Sequence, residues 1–226
     1  MYFLTKSRAQ AILADYARLT VTPRLVPMYG LPPAYRRAKR MRRRSLIGPV
    51  ISLPLRAWGN LFAPPGDWDT RTSLFRDHPT FHRVLDLERH LGDFRASDWY
   101  GDALREFHTT GCFRYKKRYM NSVAAIDEFF SGYLVALLVS MRDAGYRSDA
   151  ADDRPGVMID RNGALIKSPG GRHRWAVATL LEVDRVPVQI EHIHPAWLKQ
   201  IGGGFGGASL TRLKDALRAV QSAHSA

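Results

Sequence analysis

Gly170-Gly171-Arg172-His173-Arg174-Trp175 runs directly into an amphipathic stretch, Ala176-Val177-Ala178-Thr179-Leu180-Leu181. An apolar, strand-like segment precedes it, Val157-Met158-Ile159, and another follows, Val186-Pro187-Val188-Gln189-Ile190. The pattern predicts a glycine turn that opens a helix between two strands. The first N–H groups of a helix lack internal partners and sit at the positive end of its dipole. Such a turn is an anion site, and two arginines and a histidine in the first turn add charge and donors. The residues support two readings. One is a phosphate site, most economically for a nucleotide. The other is a tight turn with a solvated basic helix start.

Working outward, Asp160-Arg161-Asn162-Gly163 carries the Asn-Gly hairpin signal, and Ala164-Leu165-Ile166-Lys167 returns as a second strand. The helix is expected over 175–182. Beyond the closing strand, His192 and His194 alternate on one face, above a site or along a strand edge. Gly202-Gly203-Gly204-Phe205-Gly206-Gly207 formally fits G-x-G-x-x-G. No strand leads into it, so a flexible hinge is expected rather than a dinucleotide loop. Ser209 is expected to cap a last helix with Leu210, Leu213, Leu217 and Val220 on one face.

Upstream, the clearest helical pattern spans 122–145, with Ile126, Phe129, Phe130, Tyr133, Leu134, Leu137, Leu138 and Met141 on its apolar face. Ser131-Gly132 is a point where it divides in two, and Gly145 is its stop. Gly111 to Tyr119 is a basic aromatic segment, read as a strand followed by a loop. Its Arg114 and Lys116 favour an anion. Asp98 to Asp102 reads as a turn before a helix at 103–109. Residues 79–91 read as a helix, with His78, His82 and Asp86 on one face. That spacing suits metal ligands, but no third partner is in view, and no metal site is expected. Asp67 and Asp69 could bind a cation, act as a base, or simply form a turn.

The first helix is expected over 5–19, followed by the breakers Pro23, Pro27, Gly30, Pro32 and Pro33. In the stretch 36–44, Arg36-Arg37-Ala38-Lys39-Arg40-Met41-Arg42-Arg43-Arg44, seven of nine positions are basic. It reads either as an electrostatic foot for nucleic acid or anionic lipid, or as a solvated basic face. Residues 46–66 are an apolar connector, and 147–156 a polar loop.

The chain has 226 residues, 45% of them hydrophobic, enough for one large domain or a domain plus an extension. Its net charge of +13 suggests an anionic partner. The single cysteine, Cys112, excludes an internal disulfide framework and a multi-cysteine zinc site, and reads as a small buried residue. A reducing, cytoplasmic setting fits that usage, with attachment to the inner membrane surface as the second option. No window of about 18 apolar residues is found, so no spanning helix is expected.

Residues 110–195 resemble the ParB/sulfiredoxin-like superfamily. The resemblance is carried by the helix end Leu137-Leu138-Val139-Ser140-Met141-Arg142-Asp143-Ala144-Gly145, the hairpin Val157 to Lys167, the box Gly170-Gly171-Arg172-His173-Arg174-Trp175-Ala176, and the strand Val186-Pro187-Val188. It implies an α+β fold: a small mixed sheet with flanking helices. Added to it would be a mainly helical N-terminal extension at 1–109 and a glycine hinge with a C-terminal helix at 199–226, around a domain at 110–198. It also implies nucleotide binding, with the box holding phosphates.

Activities in that superfamily differ: CTP hydrolysis with DNA clamping, ATP-dependent repair of cysteine sulfinic acid, and small-molecule kinases. Arg172 stands where sulfiredoxin carries its cysteine, which argues against sulfinic acid chemistry. Too few residues follow the box for a ParB-type helix-turn-helix, which argues against partitioning.

Two functions are therefore expected. The first is a phosphotransferase or nucleotide hydrolase using ATP or CTP with Mg2+. Gly170, Gly171, Arg172, His173 and Arg174 would hold phosphates with help from Arg114 and Lys116. His173 would donate to the terminal phosphate, and Asp160, or Asp67 or Asp69, would act as base toward a small-molecule acceptor. The second is a nucleotide-sensing module that binds nucleic acid or a membrane surface through Arg36–Arg44.

Overall fold

The computed structural model describes residues 4–32, 57–116, 118–147 and 154–225. The basic run 36–44, most of the apolar connector and most of the polar loop 147–156 lie outside them. The fold is mixed α+β, as expected. The chain forms two compact units, and both are discontinuous in sequence. The first comprises 1–75, 148–172 and 184–226, and the second comprises 76–147 and 173–183. Boundaries at 109 and 198 do not coincide with this division.

The first unit is built on one sheet. Its strands are β1 (Arg18–Val21), β2 (Met28–Gly30), β3 (Thr72–Leu74), β6 (Gly156–Ile159), β7 (Leu165–Lys167) and β8 (Val186–Ile193). They lie in the order β1-β8-β6-β7-β2-β3. The β6–β8 and β2–β7 pairs are parallel and the others antiparallel. Residues 4–32 are therefore not a helical appendage, because their two strands pair with β8 and β7 from the second half of the chain.

The first helix, α1 (Lys6–Leu13), ends where Ala14 turns to φ 50, and Leu19 of the expected helical stripe belongs to β1. A side chain at positive φ cannot continue a right-handed helix. The strand at 186–190 runs on to Ile193, and α7 (Pro195–Gln200) follows. The last helix, α8 (Gly207–Ala223), starts before Ser209, with Gly206 as its cap. Leu213, Leu217 and Val220 are its buried face. It is tied to β1 by the Thr20 N–H donating to Gln221 Oε1 at 2.9 Å. The glycine run is a built turn, not a loose hinge. Gly203 N–H donates to Leu198 O at 2.9 Å, and the Arg212 guanidinium donates to Gly202 O at 2.8 Å.

The second unit is helical around an aromatic core. It contains α2 (Pro79–Arg89), α3 (Asp98–Thr110), the hairpin β4 (Phe113–Tyr115) and β5 (Arg118–Met120), and then α4 (Val123–Phe129) and α5 (Ala136–Ala144). Asp98 to Asp102 are helical rather than a turn, because Ser97 caps α3 by accepting from the Tyr100 N–H. Between α4 and α5 the chain does not break at Ser131-Gly132 but widens into a π-turn over Phe130–Val135. The 22 residues Val123–Ala144 are long and apolar enough to cross a membrane by length and composition, which corrects the expectation that no such helix exists. Phe129 and Phe130, on either side of the π-turn's start, meet Trp99, Tyr100 and Phe113 edge-on or tilted, the geometry aromatic rings prefer. His78 caps α2 with Nδ1 accepting from the Thr80 N–H at 3.0 Å, which takes up one of the nitrogens considered for a metal.

Candidate functional site

Gly170-Gly171 lead into a helix, as the sequence pattern predicts. The helix α6 spans Arg172–Leu180, three residues earlier than expected, so Arg172, His173 and Arg174 form its first turn. Gly170, Gly171 and Arg172 belong to the first unit, and His173 and Arg174 to the second. Both arginines are half-buried.

The loop before the helix is braced by a residue that sequence reasoning passed over. Lys167 ends β7 fully buried, and its Nζ donates to the carbonyls of Gly156 (3.1 Å), Ser168 and Gly170. Three acceptors require three N–H donors, which only the ammonium form has. A trans peptide holds its C=O and N–H antiparallel, so turning the Gly170 carbonyl onto Lys167 turns the Gly171 N–H away from it. Gly171 sits at φ 65, and a Cβ there would fall 2.7 Å from Pro155 Cα. A Cβ on Gly170 would fall 3.0 Å from Glu191 Oε1. Gly171 is thus required by the backbone path and its neighbours, while a side chain at position 170 would only crowd the end of the Glu191 side chain. The phosphate reading rests on the helix start and the arginines.

Glu191 was not singled out by sequence, yet its carboxylate flanks this loop. Asp160 does something else: its Oδ1 accepts from the N–H groups of Asn162 and Ala164, both at 2.8 Å. It shapes the hairpin turn. Asp67 and Asp69 are likewise committed. Arg161 reaches Asp69 through Nε and Nη2, both at 2.7 Å, and Asp67 through Nη2 at 2.7 Å. Its backbone N–H adds a bond to Asp69 at 3.1 Å. This is the planar fork that guanidinium offers a carboxylate. Burial pushes the Asp69 carboxyl up, but the Arg161 hydrogen bonds and nearby His194 outweigh it and hold it below its usual range. The pair clamps the β6–β7 hairpin and leaves Asp69 unsuited to act as a base.

His192 on β8 and His194 just after it are also structural. His192 Nδ1 donates to Leu61 O at 2.9 Å, and its ring faces Trp68. Burial, with the Lys6 charge as a smaller contribution, holds its pKa down at about 3 despite the opposing pull of the Leu61 carbonyl. His194 caps α7: its Nδ1 accepts from Ala196, and its Nε2 donates to Gly66 O at 3.0 Å.

In the second unit His173 stacks on Trp99, with centroids 5.7 Å apart and planes at 17°. The Tyr115 hydroxyl lies 2.7 Å from its Nδ1 and 3.1 Å from its Nε2. Trp99 and Tyr115 therefore fix the imidazole's plane and edge, a role nothing in the sequence spacing signals. Arg114 and Lys116 lie on the hairpin. The Arg114 guanidinium sits 5.0 Å from the Tyr119 ring, and Lys116 occupies the turn at φ 54. Cys112 is half-buried, not fully buried.

Comparison with family models, curated proteins and solved structures returned no match.

Proposed function

We propose that the chain binds a nucleoside triphosphate, ATP or CTP, at the start of α6 and transfers or hydrolyses its terminal phosphoryl group. The observation that carries this reading is the basic helix start behind the braced loop. Lys167 gathers its carbonyls, and Arg172 and Arg174 enter with the helix's first turn. Helix N-termini and arginine forks are the groups that stabilise charge in phosphoryl transfer. The observed order of β6, hairpin, β7, glycine loop, α6 and β8 supports the resemblance to the ParB/sulfiredoxin-like superfamily. His173, its ring set by Trp99 and Tyr115, is assigned the hydrogen bond to the terminal phosphate.

Among the described residues no three His, Cys, Asp or Glu gather as a metal site. A Mg2+ ion would accordingly arrive on the phosphates, where it offsets their charge. The cytoplasm supplies these ligands and is the proposed location.

The test is calorimetric titration with ATP and CTP in the presence of Mg2+. Arg174→Ala should weaken binding by about 1.5–3 kcal/mol, the worth of a hydrogen bond to a charged group. Unchanged affinity would remove the phosphate assignment.

A second reading, a nucleic-acid or anionic-surface module, is favoured by one observation. On the exposed hairpin Arg114 lies against Tyr119, and Arg118 lies 5.3 Å from the Tyr133 ring. Cations beside an exposed ring such as Tyr119 are what a single strand meets in a stacking groove. DNA affinity that falls steeply with salt, without nucleotide turnover, would select this reading.

A further inference from the structure

Glu191 is the residue that the sheet register leaves over. Val157 pairs with Ile190, but Met158 pairs with His192, so Glu191 has no partner opposite and forms a bulge in β8. A bulge re-aims a side chain, and bulges are over-represented beside active sites. Glu191 Oε1 stands 2.3 Å from the point where a Cβ on Gly156 would sit. Ser168 Oγ lies equally close to that point, is fully buried, and has no hydrogen-bond partner. A buried hydroxyl left without a partner is costly, and native structures keep few of them. Glycine at 156 keeps room for both groups.

Glu191 also lines a cavity of about 350 Å³ within the first unit. Two cations, Lys6 and Arg154, line the same cavity, as do Gln10 and Gln189. The two glutamines spend amide N–H on the backbone, Gln10 on Ile190 O and Gln189 on Ala17 O, both at 2.8 Å. What each has left to offer a ligand is its carbonyl oxygen and one N–H. The lining therefore presents two cations, one carboxylate (Glu191) and four neutral groups that donate and accept, on Ser7, Gln10, Asn60 and Gln189. The cations call for an anion and would repel an ammonium group. The Glu191 carboxylate, which can only accept, calls for an O–H donor.

We infer that this cavity binds a small hydroxy acid, with its carboxylate toward Lys6 and Arg154 and a hydroxyl toward Glu191. Resting on the phosphotransferase reading, the acid is the phosphoryl acceptor. Its hydroxyl oxygen bonds to the γ-phosphorus of ATP while the bond from that phosphorus to the β–γ bridging oxygen breaks. The hydroxyl proton passes to the Glu191 carboxylate, and ADP leaves.

The experiment uses the full chain with glycerate and malate as probes, and glycerol and acetate as controls lacking one of the two groups. In saturation-transfer NMR without nucleotide, glycerate or malate should bind and the controls should not. Lys6→Ala and Arg154→Ala should each weaken that binding at least tenfold and leave ATP binding unchanged. Arg174→Ala should do the reverse, so loss of the nucleotide site and loss of the acid site are told apart. With ATP and Mg2+, 31P NMR should show a new phosphate ester that Glu191→Gln abolishes while the acid still binds. Failure of both acids to bind, or equal binding by the Lys6 and Arg154 variants, overturns the site. Binding without ester formation overturns the transfer step alone.

Discussion

Lys167→Met tests the brace beneath the glycine loop. Methionine keeps the length and apolar stem of lysine but donates nothing. The Gly156 carbonyl would still accept from the Ser168 N–H at 3.0 Å, and the Gly170 carbonyl from the Gly156 N–H at 3.3 Å. The Ser168 carbonyl would lose its Lys167 donor, and a buried acceptor left unmade costs about 1–3 kcal/mol. The two remaining charged hydrogen bonds add to the loss. The variant also escapes the desolvation of a buried ammonium, which offsets part of it. The net expectation is a destabilisation of about 2–4 kcal/mol, a large share of the 5–15 kcal/mol typical of a folded protein. Urea unfolding followed by tryptophan fluorescence gives the global figure. Hydrogen exchange at Gly170, Gly171 and Arg172 shows whether the loss is local to the loop. A variant within 0.5 kcal/mol of the parent, with exchange at these amides unchanged, would refute the claim that Lys167 holds the loop.

Gly171→Ala puts a Cβ 2.7 Å from Pro155 Cα at φ 65, and should cost at least the ~1–2 kcal/mol of a left-handed alanine in thermal unfolding. Asp69→Asn keeps the shape of the side chain but not the charge that Arg161 grips. It should lower the urea midpoint by the equivalent of about 1–2 kcal/mol, and an unchanged midpoint would contradict the clamp. His192 gives a pH dependence. Its folded pKa of about 3 lies below the ~6.5 of an unfolded histidine, so below pH 6.5 the unfolded chain takes up a proton that the folded chain refuses. Stability is lost as pH falls from 6.5 toward 3, by ~2 kcal/mol at pH 5 relative to neutrality, and His192→Gln should flatten that slope.

The parts that could be read from sequence were local. Asn162-Gly163 marks a hairpin because of the turn its backbone prefers. The stripe at 126–141 marks a helix because burial repeats at its period. Gly170-Gly171 before Arg172 marks a helix start. The parts that could not be read depend on long-range pairing. Strands of three or four residues among prolines, such as Met28–Gly30, carry too few positions to show alternation. Their identity comes from partners such as Lys167, far along the chain. Asp69 looked like a free carboxylate because its arginine lies 92 residues away. Glu191 looked like an ordinary strand residue, since a bulge is a property of the pairing, not of one strand.

The charges around the glycine loop restrict how it can work. A carboxylate and a phosphate 4 Å apart repel by about 4 kcal/mol at an effective dielectric of 20. Glu191 lies against Gly170, so a triphosphate on this loop is tolerated only if a cation or a proton stands between the two groups. Lys167 does not serve, because its three donors are spent on backbone carbonyls. The partners that can stand there are the guanidinium of Arg172 or Arg174, a metal ion carried by the phosphates, or the hydroxyl of an acceptor that gives Glu191 a hydrogen to accept. In each case the carboxylate makes nucleotide binding conditional on that partner. ATP should bind weakly alone and more tightly with Mg2+ or the acceptor present, and Glu191→Gln should tighten the Mg2+-free complex. An inert basic turn predicts neither effect.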